Sequence, residues 1–302
     1  MENKKYVEVV EFTDPVCTWC WGSEPVLRKL ETRFKDQLKV KFVMGGLVKD
    51  IGDFYDSFND IGGDAETSNT QVAAHWLEAS LKHGMPVKSE GFSLFSKEHP
   101  STYPQNIAYK AAQMEDQNLA DKFMRRIREA TATEAKQTNK LSVLIELAAD
   151  VGLDIAKFIE RFSNGSAEAA FEDDLRVMHS YGVRGFPTFL VKYGEQEILM
   201  RGYQSFDALK AVINSIAGDN INEIIPEKSE DSVLQFINKY DRVAPVEIQS
   251  AFDYSEKELE SLIKNLVSKD LIKTIPAGNG MFIESINNNP LFCDSDTQVC
   301  NV

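Results

Sequence analysis

Cys17-Thr18-Trp19-Cys20 is the group of residues in this chain best suited to chemistry. A thiolate attacks a disulfide sulfur, and a second cysteine three residues on can resolve the mixed disulfide that results. Cysteine is scarce, four in 302 residues, so the clustering of two of them is informative. Two other uses of the pair stay open at this level: an inert buried pair, or half of a zinc site. A Cys₄ site would have to recruit Cys293 and Cys300, and the six residues between those two are wider than the usual zinc-ligand spacing. The four histidines, His75, His83, His99 and His179, form no metal-spaced group.

The segments around the pair say how it is presented. Tyr6 to Phe12 alternates and is rich in β-branched and aromatic residues, which predicts a strand. Pro25, Val26, Leu27, Leu30 and Phe34 then recur at helical spacing. The first sulfur therefore falls at a helix N-terminus, where unpaired N–H groups and the dipole favour a negative sulfur. Leu38 to Met44 predicts a second strand closed by Gly45-Gly46, and strand–helix–strand with short links implies a parallel βαβ unit.

From about residue 64 to 179 the pattern is helical, with partial apolar stripes over 71–83, 107–115, 120–131, 140–151 and 155–164. Residues 50–69, rich in Gly, Asp and Ser, read as a mobile loop. Strand patterning returns at 187–192 and 196–201 around a Tyr193-Gly194-Glu195 turn, followed by a helix over 206–217. The order is β-α-β, a helical insertion, then β-β-α, that of a thioredoxin fold with an all-α insertion. The expected divisions are 1–63, the first half; 64–179, the insertion; and 180–219, the second half.

Charge and composition exclude several functions. A net charge of −14 argues against nucleic acid or an anionic membrane as main partner. No 18-residue apolar run exists, and the residues before the first strand hold no apolar core of a signal peptide. A reducing cytoplasm is the expected location, where a dithiol cycles rather than staying oxidised.

Asp14-Pro-Val-Cys-Thr-Trp-Cys-Trp-Gly22 and Gly182-Val-Arg-Gly-Phe-Pro-Thr-Phe-Leu190 together resemble the paired signatures of the DsbA-type thioredoxin-fold family, and most closely its signal-less, FrnE-like branch. The likeness spans residues 5 to about 218 and includes Tyr103 to Ala112 and Val143 to Phe158. It implies that Cys17 is the exposed nucleophile and Cys20 the resolving thiol. It further implies that Pro187 is a cis-proline beside the dithiol, with the Phe186 backbone free to pair with substrate. A cis X-Pro bond costs only about 0.5–1 kcal/mol, so a scaffold can lock it. The neutral Thr-Trp pair lacks the histidine of strongly oxidising members, which predicts a less oxidising couple. Glutathione-dependent transferases and isomerases of similar sequence carry serine at the nucleophile position, and cysteine at both 17 and 20 argues against them. Cytosolic protease adaptors share the fold and need no redox turnover.

Trp19 and Trp21 are expected to form an apolar lip around the dithiol. Glu24 is either a proton relay or a first-turn acid favouring the helix dipole; Asp14 is either a second relay or a buttress of the loop.

Beyond residue 220 the resemblance ends. Helical stripes over 231–240, 245–252 and 255–269 precede a hairpin of Leu271 to Ile275 and Met281 to Glu284, and Ser255 with Glu258 forms a capping box. Residues 226–286 therefore resemble a small winged-helix-like α+β domain. DNA binding is disfavoured, since residues 227–302 hold seven basic and thirteen acidic side chains and phosphate contacts supply much of DNA affinity. Protein contact or self-association is expected instead. The tail, 287–302, carries Cys293 and Cys300, either incidental thiols or a second dithiol that exchanges with Cys17. The sequence thus predicts a thiol–disulfide oxidoreductase acting on protein or peptide thiols and disulfides. It needs no organic cofactor, with glutathione as a possible thiol partner; a non-catalytic adaptor or a glutathione-dependent transferase is the alternative.

Overall fold

The structure, a computed structural model, describes residues 6–286, so the tail cysteines lie outside the described residues. The chain opens with β1 (Val7–Thr13), α1 (Thr18–Phe34) and β2 (Leu38–Met44), then the short strands β3 (Tyr55–Asp56) and β4 (Ile61–Gly62). The helices α2 (Ala65–His83), α3 (Tyr103–Gln113), α4 (Gln117–Glu134), α5 (Leu141–Asp150), α6 (Ile155–Ser163) and α7 (Ser166–Ser180) follow. Strands β5 (Thr188–Tyr193) and β6 (Gln196–Arg201) and helix α8 (Phe206–Ala217) complete the first unit.

The main sheet has the order β2-β1-β5-β6. β1 runs parallel to β2 and antiparallel to β5, with Val9 opposite both Val40 and Val191. This is a thioredoxin fold in the DsbA-like form, with helices inserted between its halves. A central strand is covered on both faces. On one, Val7, Val9, Phe189 and Val191 meet Leu27 and Leu30 of α1 and Leu209 and Ile213 of α8. On the other, Val10, Phe12 and Leu190 meet Met178 of α7. The insertion has its own core around Tyr109, Phe123, Ile127, Leu144, Phe158 and Phe171.

Two local readings are corrected. Residues 50–69 are not one open loop: β3 pairs with β4, and α2 begins at Ala65 because the Asp64 carboxylate accepts the Thr67 N–H at 2.8 Å and caps it. Helix α7 has no counterpart in the sequence reading, because it buries only Ala167, Phe171 and Met178 and so shows too sparse a stripe.

The remaining elements are α9 (Glu230–Tyr240), β7 (Arg242–Val243), α10 (Pro245–Phe252), α11 (Glu256–Ser268), β8 (Ile272–Ala277) and β9 (Gly280–Ser285). They form a three-stranded sheet, β7-β9-β8, and a core including Val233, Ile237, Ile248, Phe252, Leu266 and Ile283. The unit is seated on the first one. Helix α10 lies along α1, with Arg33 Nε donating to the Ala251 carbonyl at 3.2 Å. At the hairpin turn, Asn279 accepts the Val87 N–H at 2.8 Å, and a Cβ on Gly278 would stand 2.2 Å from the Val87 carbonyl oxygen, so only glycine permits the approach. Helix α11 opens on Glu256 and Glu258, carboxylates that would face phosphate. The full chain is accordingly expected to show no salt-sensitive binding to duplex DNA in a titration at ~150 mM salt; sub-micromolar binding would refute this.

Candidate functional site

Cys17 closes the turn that follows β1, its N–H donating to the Asp14 carbonyl at 3.1 Å, and is the N-cap of α1. Its Sγ accepts the Cys20 N–H at 3.3 Å, so the sulfur itself satisfies one of the free donors at the helix start. The Phe186–Pro187 peptide is cis, and the Phe186 carbonyl lies 3.6 Å from Cys17 Sγ, within reach of its S–H. The Phe186 ring lies against Gly45, where any Cβ would come within 1.9 Å of the ring. The Gly-Gly closing β2 thus admits the ring that walls the site.

A groove of about 670 Å³ runs past these groups, lined among others by Cys17, Trp19, Tyr55, His75, Arg184 and Phe186. The β3–β4 hairpin forms part of its wall. Trp19 stands at the lip, edge-on to His75 and His83 with ring centroids 6.4 and 6.0 Å away and tilted against Tyr203 at 5.7 Å. Burial pushes His83 down to about 4, so this ring is neutral at physiological pH.

Both thiols are buried, against the exposed Cys17 that the resemblance implied: Cys17 is 5% exposed where it lines the groove, because it caps α1 and packs against the Phe186 carbonyl, and Cys20 behind it is 0% exposed. Burial pushes the Cys20 thiol up, Cys17 and then Glu11 push it further, and Arg128 opposes them. Such a thiol needs an acceptor before it can attack. Glu11, on central strand β1, is fully buried, and burial raises it from its ordinary 4.5 to about 7 against the pull of Arg128. Its Oε2 accepts from Arg128 Nη2 at 3.0 Å, while Oε1 has no donor among the described residues. A carboxylate that titrates near neutrality beside a buried thiol can take up that thiol's proton.

Glu11 and Arg128 are the site residues that sequence reading missed. The signal was available: Glu11 interrupts the apolar run Val9-Val10-Glu11-Phe12 in a strand that must be covered on both faces. A charge there requires a buried partner.

Glu24 and Trp21 stand differently from their expected roles, and Asp14 takes one of the two expected of it. Burial pushes Glu24 up, but Arg28, Arg128 and Arg125 outweigh it and hold the carboxyl at about 2. A group that ionised cannot relay protons near neutrality, so Glu24 is an ion-pair anchor. Trp21 is not in the groove lip; it is buried, donates from Nε1 to the Pro86 carbonyl at 3.0 Å and packs edge-on to Phe282 of the C-terminal unit at 6.3 Å. The helical turn carries it to the opposite side of α1 from Trp19. Asp14 is a buttress: it accepts the N–H groups of Val16 and Leu47 at 2.9 and 2.7 Å and is bonded by Thr102 and Asn106. The bonds from Thr102 and Asn106 tie this loop to the insertion, and that from Leu47 ties it to the segment after β2. No cluster of potential metal ligands occurs among the described residues, and no described helix is long and apolar enough to cross a membrane.

Comparison with known proteins adds three findings. A family model described as thioredoxin matches residues 11–211. Among curated proteins, the chain is similar to the ClpXP adapter protein SpxH of Halalkalibacterium halodurans, 25% identical over 93% of this chain and 89% of that protein. The same protein of Bacillus subtilis is also 25% identical, over 94% and 91%. Among solved structures, one from Nitrosomonas europaea superposes with a TM-score of 0.58 at 22% identity, covering 70% of this chain and 97% of that one. The cytosolic disulfide reductase DsbM from Pseudomonas aeruginosa superposes at 0.53 and 24%, covering 69% and 98%. The structural likenesses concern the fold, and they leave out about 30% of the chain.

Proposed function

The chain belongs to the thioredoxin family, and from that premise we propose that it is a thiol–disulfide oxidoreductase acting on protein or peptide partners. The observation that carries this reading is the placement of the Cys17 sulfur in the groove, beside the Phe186 carbonyl, with Cys20 behind it. The Cys17 thiolate attacks one sulfur of a substrate disulfide, forming a mixed disulfide and releasing the other sulfur as a thiolate that takes a proton. Cys20 gives its proton to Glu11 and attacks Cys17, releasing the second substrate thiol and leaving a Cys17–Cys20 disulfide. Two electrons pass from the dithiol to the substrate, and two thiols of a reductant such as glutathione return them. No organic cofactor is needed, and a cytoplasmic setting suits a dithiol that is re-reduced.

A second reading, a client-holding adaptor, is favoured by the relatives named SpxH, whose similarity spans this chain's C-terminal unit as well. Turnover separates the two. Reduction of a glutathionylated peptide or of insulin by the intact chain, with glutathione as reductant, should be catalytic and should require Cys17. Binding of such a peptide without any cycling would instead support the adaptor.

A further inference from the structure

The C-terminal unit reaches the dithiol through a buried line of charges. Glu247, on α10, is fully buried. Its two oxygens accept from Arg125 Nη1 and Nη2, both at 2.9 Å, and Oε2 also accepts the Ala244 N–H at 2.7 Å. Arg125 stacks on Trp21 and lies 3.3 Å from Glu24. Glu24 is bonded in turn to Arg128, and Arg128 to Glu11 beside Cys20. The line crosses from the C-terminal unit through the insertion helix α4 and back to α1 and β1. A buried ion pair is held only if each charge keeps its partners, so the arrangement of every member depends on the next.

We propose that Glu247 is a positioning residue for the Cys17–Cys20 couple, so that the C-terminal unit is part of the redox centre rather than a separate module. With Glu129, which accepts from Arg125 Nε at 2.7 Å, Glu247 holds Arg125 and so leaves Glu24 to Arg28, 3.1 Å away, and to Arg128, the cation that faces Glu11 and Cys20; Arg28 also lies 3.6 Å from Glu247. The solved structures described above are covered almost whole while leaving about 30% of this chain unmatched. The inference rests on the oxidoreductase reading and supplies what that reading lacks, a role for the last unit in the chemistry.

The test is the equilibrium of the full chain with glutathione, in which the Cys17–Cys20 disulfide and two glutathione thiols give the dithiol and one glutathione disulfide. Glu247→Gln keeps the shape and the acceptor for the Ala244 N–H but removes the charge. Arg125 then draws on Glu24, Arg128 is less neutralised, and negative charge on the reduced sulfurs is favoured. The equilibrium constant should move at least threefold towards the dithiol. Glu260→Gln, the same charge change at an exposed residue of the same unit, should leave it unmoved. An unchanged constant in folded Glu247→Gln protein overturns the proposal. If proteolysis shows that this variant unfolds the C-terminal unit, Arg125→Met with Glu247→Leu replaces the pair by apolar side chains. Glu24 then serves Arg28 and Arg128 alone, Arg128 is more fully neutralised, and the shift should be towards the disulfide; no shift overturns the proposal equally. If the wild-type couple fails to equilibrate with glutathione at all, the oxidoreductase reading itself is wrong.

Discussion

Replacing Cys17 by serine is expected to reduce disulfide exchange to the uncatalysed background, whereas Cys20→Ser should accumulate mixed disulfides at Cys17. Both sulfurs are largely buried but differently placed: Cys17, 5% exposed, lines the groove, and Cys20, 0% exposed, stands behind it with its thiol pushed up. The first faces the groove that a substrate disulfide would enter, and the second stands behind it, placed to release the adduct. In a Cys293→Ser/Cys300→Ser background, incubation with a glutathionylated peptide followed by intact-mass measurement reads both outcomes, one adduct per Cys20→Ser chain and none on Cys17→Ser. Wild-type turnover in Cys20→Ser would sink the two-cysteine mechanism and favour transferase-like chemistry through one sulfur.

The largest effect on stability should come from Arg128. It is fully buried, and its guanidinium serves Glu11, Glu24 and Thr13 together. Arg128→Met fills much of the volume but strands the Glu11 carboxylate and leaves Glu24 to Arg28 and Arg125, and removing one partner of a buried ion pair costs about 3–5 kcal/mol. Urea denaturation of the reduced protein would measure the loss, and Glu11→Gln added to Arg128→Met should recover part of it. A loss within ordinary surface-mutation range would show that the network is not held as described.

The same carboxylate gives a pH signature. Glu11 is raised in the fold from 4.5 to about 7, so between those values the native state binds more protons than the unfolded chain. Its contribution to stability is complete below about pH 4.5 and is lost as pH rises through 7. Each pH unit between the two values is worth about 1.4 kcal/mol, so Glu11→Gln should gain on wild type by on the order of 2–3 kcal/mol across that window. Urea denaturation of both proteins at several pH values measures the gain, and taking the difference cancels the other titrating groups.

The local features of the candidate site were legible from sequence. The Cys17–Cys20 spacing, the strand before it and the helix after it are encoded within about thirty residues, and period-2 and period-3.6 patterns survive in any compact fold. The cis bond before Pro187 was an inference from resemblance, and the structure has it. The C-terminal helices and hairpin were readable for the same reason as the strands: each element buries its own stripe. Sequence could not say where that unit sits, because docking is set by complementarity between surfaces and not by any single stripe.

What only the tertiary structure decided was the set of charges under the dithiol. Glu11 and Arg128 are 117 residues apart, and Arg125 and Glu247 are 122 apart. Each alone reads as an ordinary polar position of a strand or a helix. Burial makes each one untenable without its partner, so their roles emerge only when the fold brings them together. The same holds for Trp21 and Glu24: their distance from Cys20 along the chain is short, but the helical turn points them away from the groove and towards Phe282 and the arginines. Nearness in sequence placed the two sulfurs correctly, whereas the direction each side chain takes from α1, and hence what it can do for those sulfurs, was settled by packing.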